Sequence, residues 1–199
     1  MIRLACRSCC IIVVVALAGS ACQLKRPATI PSRMIEPQLL EPQIAEPSGQ
    51  RTNGADAVPV RLLDTQARGH IGRRVLHQQP DGELTEDAIW RWSSAPDRYL
   101  DTALRLELSS NAAFRLVDIA GAPTLATTML AWHLETANGT RLVGAVEFQI
   151  TGIDRVVQTQ VVRGSEPVSD LLPGDLAAAA GRLFRRLASE GLARVVRRR

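Results

Sequence analysis

Aromatic side chains are scarce: the 199 residues hold one tyrosine, three phenylalanines and three tryptophans. Proteins that take up single-stranded nucleic acid stack its bases on aromatic platforms, so this composition argues against nucleic acid as a partner. Histidine is equally sparse. His70, His77 and His133 have no cysteine nearby and no mutual spacing suited to a metal site, and His133 reads as a surface or partly buried strand residue. There is no GxSxG elbow, Walker loop, dinucleotide fingerprint or HExxH helix. The nearest approach to clustered carboxylates is Glu86-Asp87 and the pair Asp170 with Asp175. Adjacent residues on a strand face opposite ways, and the second pair flanks a Pro-Gly turn, so both read as solvated or capping. The expectation is a protein without catalytic residues, cofactor or metal.

Cysteine is missing from all but the start of the chain: Cys6, Cys9, Cys10 and Cys22 are the four. The apolar stretch around them, residues 9–21, is shorter than the roughly 20 residues a helix needs to cross a bilayer. Arg3 and Arg7 supply a positive n-region, residues 11–17 an unbroken apolar h-region, and Gly19-Ser20-Ala21 the small residues a signal peptidase requires. Residues 1–21 therefore read as a cleaved signal peptide. Cleavage before Cys22 leaves one thiol and no internal disulfide, so the core must stand on packing alone. A small-residue triplet directly before a cysteine is also what lipoprotein processing needs, and Cys22 is the expected lipidation site. Gly19 stands where a lipobox usually has leucine, and ordinary cleavage after Ala21 with Cys22 as a bystander is the competing reading. Several acyl chains would anchor stably where one does not. Gln23 follows Cys22 where an aspartate would commonly signal inner-membrane retention, which favours the outer membrane, facing the periplasm.

Charge of either sign is modest overall but unevenly placed. Without Arg3 and Arg7 the chain has 22 basic and 20 acidic residues, yet residues 182–199 carry seven arginines against Glu190 alone. Such a basic tail could touch anionic head groups or an acidic partner, or be a solvated, frayed terminus.

Residues 22–57 hold Glu36-Pro37-Gln38, Glu41-Pro42-Gln43 and Glu46-Pro47-Ser48 without apolar periodicity. Proline at this frequency forbids helix, so the segment reads as a flexible stalk, reaching at most ~100 Å at ~3.1 Å per residue. The folded domain is expected over 58–199. Alternation predicts strands over 58–63, 71–77, 83–92, 114–119, 125–137, 140–151 and 156–163, the sixth following the fifth through an Asn138-Gly139 hairpin turn. Leu84, Ala88, Trp90 and Trp92 are expected on one face of the third strand. Pro96 opens a helix with Leu100, Ala103, Leu104 and Leu108 on one stripe, and Pro173-Gly174-Asp175 leads into a closing helix with Leu176, Ala180, Leu183, Phe184, Leu187 and Gly191 on its stripe. That order predicts an α+β two-layer sandwich, a mostly antiparallel sheet with both helices on one face.

Trp92 with Pro96 four positions on, Leu100, Leu104 and Leu108, the exit Asn111-Ala112-Ala113-Phe114-Arg115-Leu116-Val117, the strands containing Leu130-Ala131-Trp132-His133-Leu134 and Val143-Gly144-Ala145-Val146-Glu147-Phe148, and the Ala-rich last helix stand in a telling order. From residue 71 to 195 the chain resembles the auxiliary lipoproteins of ABC-type transport systems, the PqiC-like components that accompany mammalian-cell-entry (MCE) lipid transporters. The resemblance implies an envelope lipoprotein working with an MCE-family substrate-binding protein, an ABC permease and an ATPase to move phospholipid or a related hydrophobic molecule. It supplies no catalytic residue. A structural or assembly lipoprotein that tethers envelope components without handling lipid is the alternative, and a homo-oligomer is compatible with either. Trp90 and Trp92 are the candidate contacts with a partner or with lipid, since two indoles on one side of a strand suit an interface hot spot. Trp92, just ahead of the first helix, is also placed to pack beneath it.

Overall fold

The computed structural model describes residues 31–39, 57–137, 139–152 and 156–196. The expected signal peptide, Cys22, the second and third Glu-Pro repeats, Asn138 and the last three arginines lie outside the described residues. In chain order the elements are β1 (Arg33–Ile35), β2 (Val58–Leu62), β3 (Gln66–Ala67), β4 (Arg74–Gln78), β5 (Leu84–Trp92), α1 (Pro96–Ser110), β6 (Phe114–Leu116), β7 (Thr124–Glu135), β8 (Arg141–Thr151), β9 (Val157–Pro167) and α2 (Pro173–Val196). This is the expected α+β sandwich, two helices on a large open sheet whose long pairings are antiparallel.

The sheet is organised around β7. One edge pairs antiparallel with β8 from Thr124↔Thr151 to Glu135↔Arg141, and β8 pairs in turn with β9 over its full length. The other edge of β7 is met in succession by three parallel strands, β2 at Arg61↔Thr124, β3 at Gln66↔Thr128 and β4 at His77↔Leu134. β6 joins the outside of β2. β5 pairs antiparallel with β4, and β1 closes that side parallel to β5. The β7–β8 connection is longer than a two-residue turn, because pairing stops at Glu135↔Arg141. Gly139, at φ +89°, takes the left-handed conformation there.

Periodicity explains the core. In β7, Leu125, Thr127 and Met129 point to the helices; the register then slips between Met129 and Ala131, and Trp132 and Leu134 continue on the same face. One extra residue thus changes the parity of the strand and keeps both halves apolar toward the core. Thr127 is tolerated there because its hydroxyl bonds that of Thr65 at 2.8 Å. α1 buries the stripe Leu100, Ala103, Leu104 and Leu108, and α2 buries Leu176, Ala180, Leu183, Phe184 and Leu187. Close approach of α2 to the sheet requires two glycines. A Cβ at Gly191 would fall 2.1 Å from the Phe148 ring, and one at Gly144 would fall 2.9 Å from Leu187 and 3.1 Å from the Trp132 ring across from it.

The arginines of α2 are largely occupied. Arg186 Nη2 donates to the Ser165 carbonyl at 2.6 Å and Arg194 Nη1 to that of Val161 at 3.3 Å, so the helix reaches round to cap carbonyls of edge strand β9. Glu166 pairs with Arg182 and Arg186, and Glu190 lies beside Arg186 and Arg194. Covering an edge with charged side chains discourages a second chain from adding to it. Over its described part the basic end is a set of strand guards, not a frayed tail.

Over residues 32–39 the expectation for residues 22–57 needs correction. Residues 32–39 belong to the folded unit, which spans Ser32–Arg199. Ile35 is 1% exposed and lies in the central cluster. Burying that one side chain is worth roughly 1.5–3 kcal/mol, which offsets part of the roughly 1–2 kcal/mol per residue lost in ordering the strand, and the pairing with β5 adds to it. The folded domain therefore begins at Ser32, well before residue 58.

Candidate contact site at the first strand

The short strand β1 is held at four points. In register it pairs Arg33↔Trp90, Met34↔Arg91 and Ile35↔Trp92. Beyond it, the Ser93 amide donates to the Ile35 carbonyl at 2.9 Å. Glu36 turns its carboxylate onto two hydroxyls, accepting from Ser93 and, at 2.8 Å, from Tyr99. Burial pushes the Tyr99 phenol above its usual range, and the Glu36 carboxylate acts in the same direction against the bonds from Ser93 and Ser94. Tyr99 therefore stays a neutral donor to Glu36. Finally the Gln38 amide donates to the Ala177 carbonyl at 3.1 Å, and Arg185 Nη1 donates to the Leu39 carbonyl at 3.1 Å. A Cβ at Gly181 would lie 2.1 Å from the Gln38 carbonyl oxygen, so only glycine lets this segment lie flat on α2.

Trp90 and Trp92 share a face, as the β1 register requires, but their surroundings differ. Trp92 is 1% exposed and packs edge-on to Trp132 at 5.9 Å; Trp132 stacks on Phe184 at 4.2 Å, and Tyr99 lies 5.9 Å from the same Phe184. A side chain enclosed in this way has almost no surface to offer, and of the pair Trp90 is the one with exposed surface. Trp90 is half-buried, set against the rim of the core, with the Arg33 guanidinium 5.6 Å from its ring centroid. That distance suits a cation–π contact.

The local conformation of β5 places Trp90. Between the pairs Arg74↔Arg91 and Leu76↔Glu86 the register slips, leaving extra residues on β5. Asp87 organises the slip: its Oδ1 accepts from the Ile89 amide at 2.8 Å and the Trp90 amide at 2.7 Å, and its Oδ2 meets His77 Nε2 at 2.9 Å. Burial alone would raise the Asp87 pKa, but the bonds from Trp90, Ile89 and His77 outweigh it and hold the carboxyl below its ordinary value. Because of this bulge Leu84 and Ala88 are exposed and do not share the core face with Trp92, as simple alternation had implied.

The exposed residues of the β1–β5 edge are basic and apolar, with Arg33 on the Trp90 side of the sheet and Met34 and Arg91 on the other. Arg33 and Arg73 are exposed and Arg91 half-buried, and none of the three has a carboxylate partner among the described residues. Arg73 lies against the Met34 sulfur at 3.9 Å and donates to the Trp92 carbonyl at 3.3 Å. Met34 is 53% exposed and Ile89 38%. The acids nearby are spent on Ser93 and Tyr99 (Glu36), on Arg74 (Glu86) and on His77 (Asp87). Sequence reasoning missed Arg33, Met34 and Glu36 because the Glu-Pro repeat masked them. The available signal was the pair Met34-Ile35, two large adjacent apolar residues in a polar stretch.

Elsewhere His133, half-buried, has its pKa lowered by burial first, with His70 adding to the effect and Glu135 opposing it. Among the described residues no group of three His, Cys, Asp or Glu is placed to hold a metal ion, and no helix is long and apolar enough to cross a membrane.

No family profile matches the chain, and no curated protein does. Solved structures do share its architecture. An uncharacterized protein superposes with a TM-score of 0.60 at 13% identity, covering 70% of this chain and 92% of its own. Protein XCC0632 from Xanthomonas campestris, of the family DUF330, superposes with a TM-score of 0.58 at 14% identity, covering 83% of this chain and 85% of its own. At such identities the likeness is one of fold, and the chain has the fold of the DUF330 protein.

Proposed function

We propose that the protein is an envelope lipoprotein, anchored by acyl chains on Cys22 to the outer membrane and facing the periplasm, which serves as a non-catalytic auxiliary component of an ABC/MCE-type system moving phospholipid or another hydrophobic molecule. The observation that carries this reading is a conjunction: a domain with the DUF330 fold, the fold of the PqiC-like proteins the sequence resembles, follows a signal-like segment that ends in a small-residue triplet and a lone cysteine. An accessory role fits the domain's surface chemistry, which offers Trp90, Met34 and arginines without a carboxylate partner for contact.

Affinity purification of the tagged, membrane-extracted protein after mild cross-linking tests the reading. Recovery of an MCE-domain protein together with a permease and an ATPase is the expected outcome. An anchored protein that brings down cell-wall or assembly factors and no transporter subunit would replace it with the tethering role.

A further inference from the structure

We propose that the corner formed by β1 and the bulged half of β5 is a membrane-docking face whose ligand is the anionic phospholipid surface in which the chain is anchored. The inference rests on lipidation of Cys22. It begins from chain length. Because the folded unit starts at Ser32, only ten residue steps separate Cys22 from the domain. At 3.3–3.6 Å per residue their contour length is at most about 35 Å, whatever their conformation, against the ~100 Å that an unfolded spacer to residue 57 would have allowed. A domain of this length has a radius of gyration of about 15 Å, so the tether is no longer than the domain is wide. The point of attachment is β1 itself, which keeps this corner, before any other, at the bilayer.

The chemistry of the corner suits that position. Trp90 presents a half-buried indole, and tryptophan concentrates where one end of a side chain is apolar and the other wet. Ile89, next to it in sequence, offers exposed apolar surface, and Met34, paired with Arg91, adds more on the other side of the same sheet edge. Arg33, Arg73 and Arg91 add positive charge without a carboxylate partner among the described residues, and each such charge near an anionic leaflet shifts the docked population about fivefold. A short tether brings a lipid surface to this corner by proximity alone, which favours lipid over a protein as its occupant.

The test reconstitutes the purified lipidated protein into vesicles of phosphatidylethanolamine and phosphatidylglycerol carrying brominated acyl chains, which quench tryptophan at short range. Trp92 and Trp132 are buried, so quenching reports on Trp90. Flotation with the vesicles is scored separately. The expected result is flotation together with quenching that vanishes in Trp90→Phe, weakens about fivefold in docked population for Arg33→Gln, and is lost in Met34→Glu, with the same unfolding temperature in all three variants. Flotation without quenching overturns the docking face while leaving the anchor intact. Quenching equal in purely zwitterionic vesicles overturns the role of the arginines. Failure to float overturns the anchor and the docking face with it.

Discussion

Trp90 and Trp92 stand two residues apart on one strand, and the difference between them is set by what lies across the sheet. Ile35 and the Trp132–Phe184 stack enclose Trp92, whereas Arg33 covers Trp90 only in part. Trp92→Ala is therefore expected to cost ~3–5 kcal/mol of folding stability and Trp90→Ala under about 1 kcal/mol, which urea titration of both variants measures. Equal losses would show that the indoles play the same part. Asp87 makes a second residue-scale prediction. A carboxyl held below its ordinary value stabilises the fold fully above the unfolded pKa of about 3.9 and loses that contribution as pH falls through the folded value. Asp87→Asn keeps an acceptor for the Ile89 and Trp90 amides but discards the charge. Its stability deficit relative to wild type should be constant around neutral pH and close as pH drops below about 4. A deficit that persists to about pH 2 would mean that the charge is irrelevant and that the deficit comes from packing.

At the scale of elements, what was legible depended on length. α1, α2, β7 and β8 each repeat their period several times, and the stripe residues Leu100, Leu104 and Leu108, or Leu125, Met129 and Leu134, declare a face that burial then occupies. β1 has three residues, sits in proline-rich sequence and pairs with a strand some 57 positions away, so no local pattern announces it. The bulges in β5 and β7 were equally hidden, since a shift of one residue changes parity without changing composition. The physical content of the corrected boundary is testable. Ile35→Ala should lower stability by ~2–5 kcal/mol, the cost of a cavity in a core, as read from thermal unfolding of the full mature chain. A variant that unfolds with wild type would return residues 32–39 to the spacer.

For the whole molecule, the same correction changes what the chain can do. With the proposed anchor at Cys22, a tether of about 35 Å would hold the domain close to its membrane, where a long stalk would have let it search across the envelope. The candidate site was half legible: Trp90 was named from its spacing, but its neighbour Arg33 was not, because it reaches the indole only through the parallel pairing of β1. The basic end was legible as charge but not in its contacts, since among its described residues Arg186 and Arg194 spend donors on β9. The proposed role and the docking face depend on the proposed anchor at Cys22, for which the sequence motive is Gly19-Ser20-Ala21 and the absence of any later cysteine. The direct measurement is the intact mass of the protein extracted from membranes, beside fractionation of Cys22→Ala. A mature chain beginning at Cys22 and heavier than its polypeptide by a diacylglyceryl group and an amide-linked acyl chain, with the variant released from the membrane, is the expected result; an unmodified mass with unchanged fractionation of the variant would contradict it.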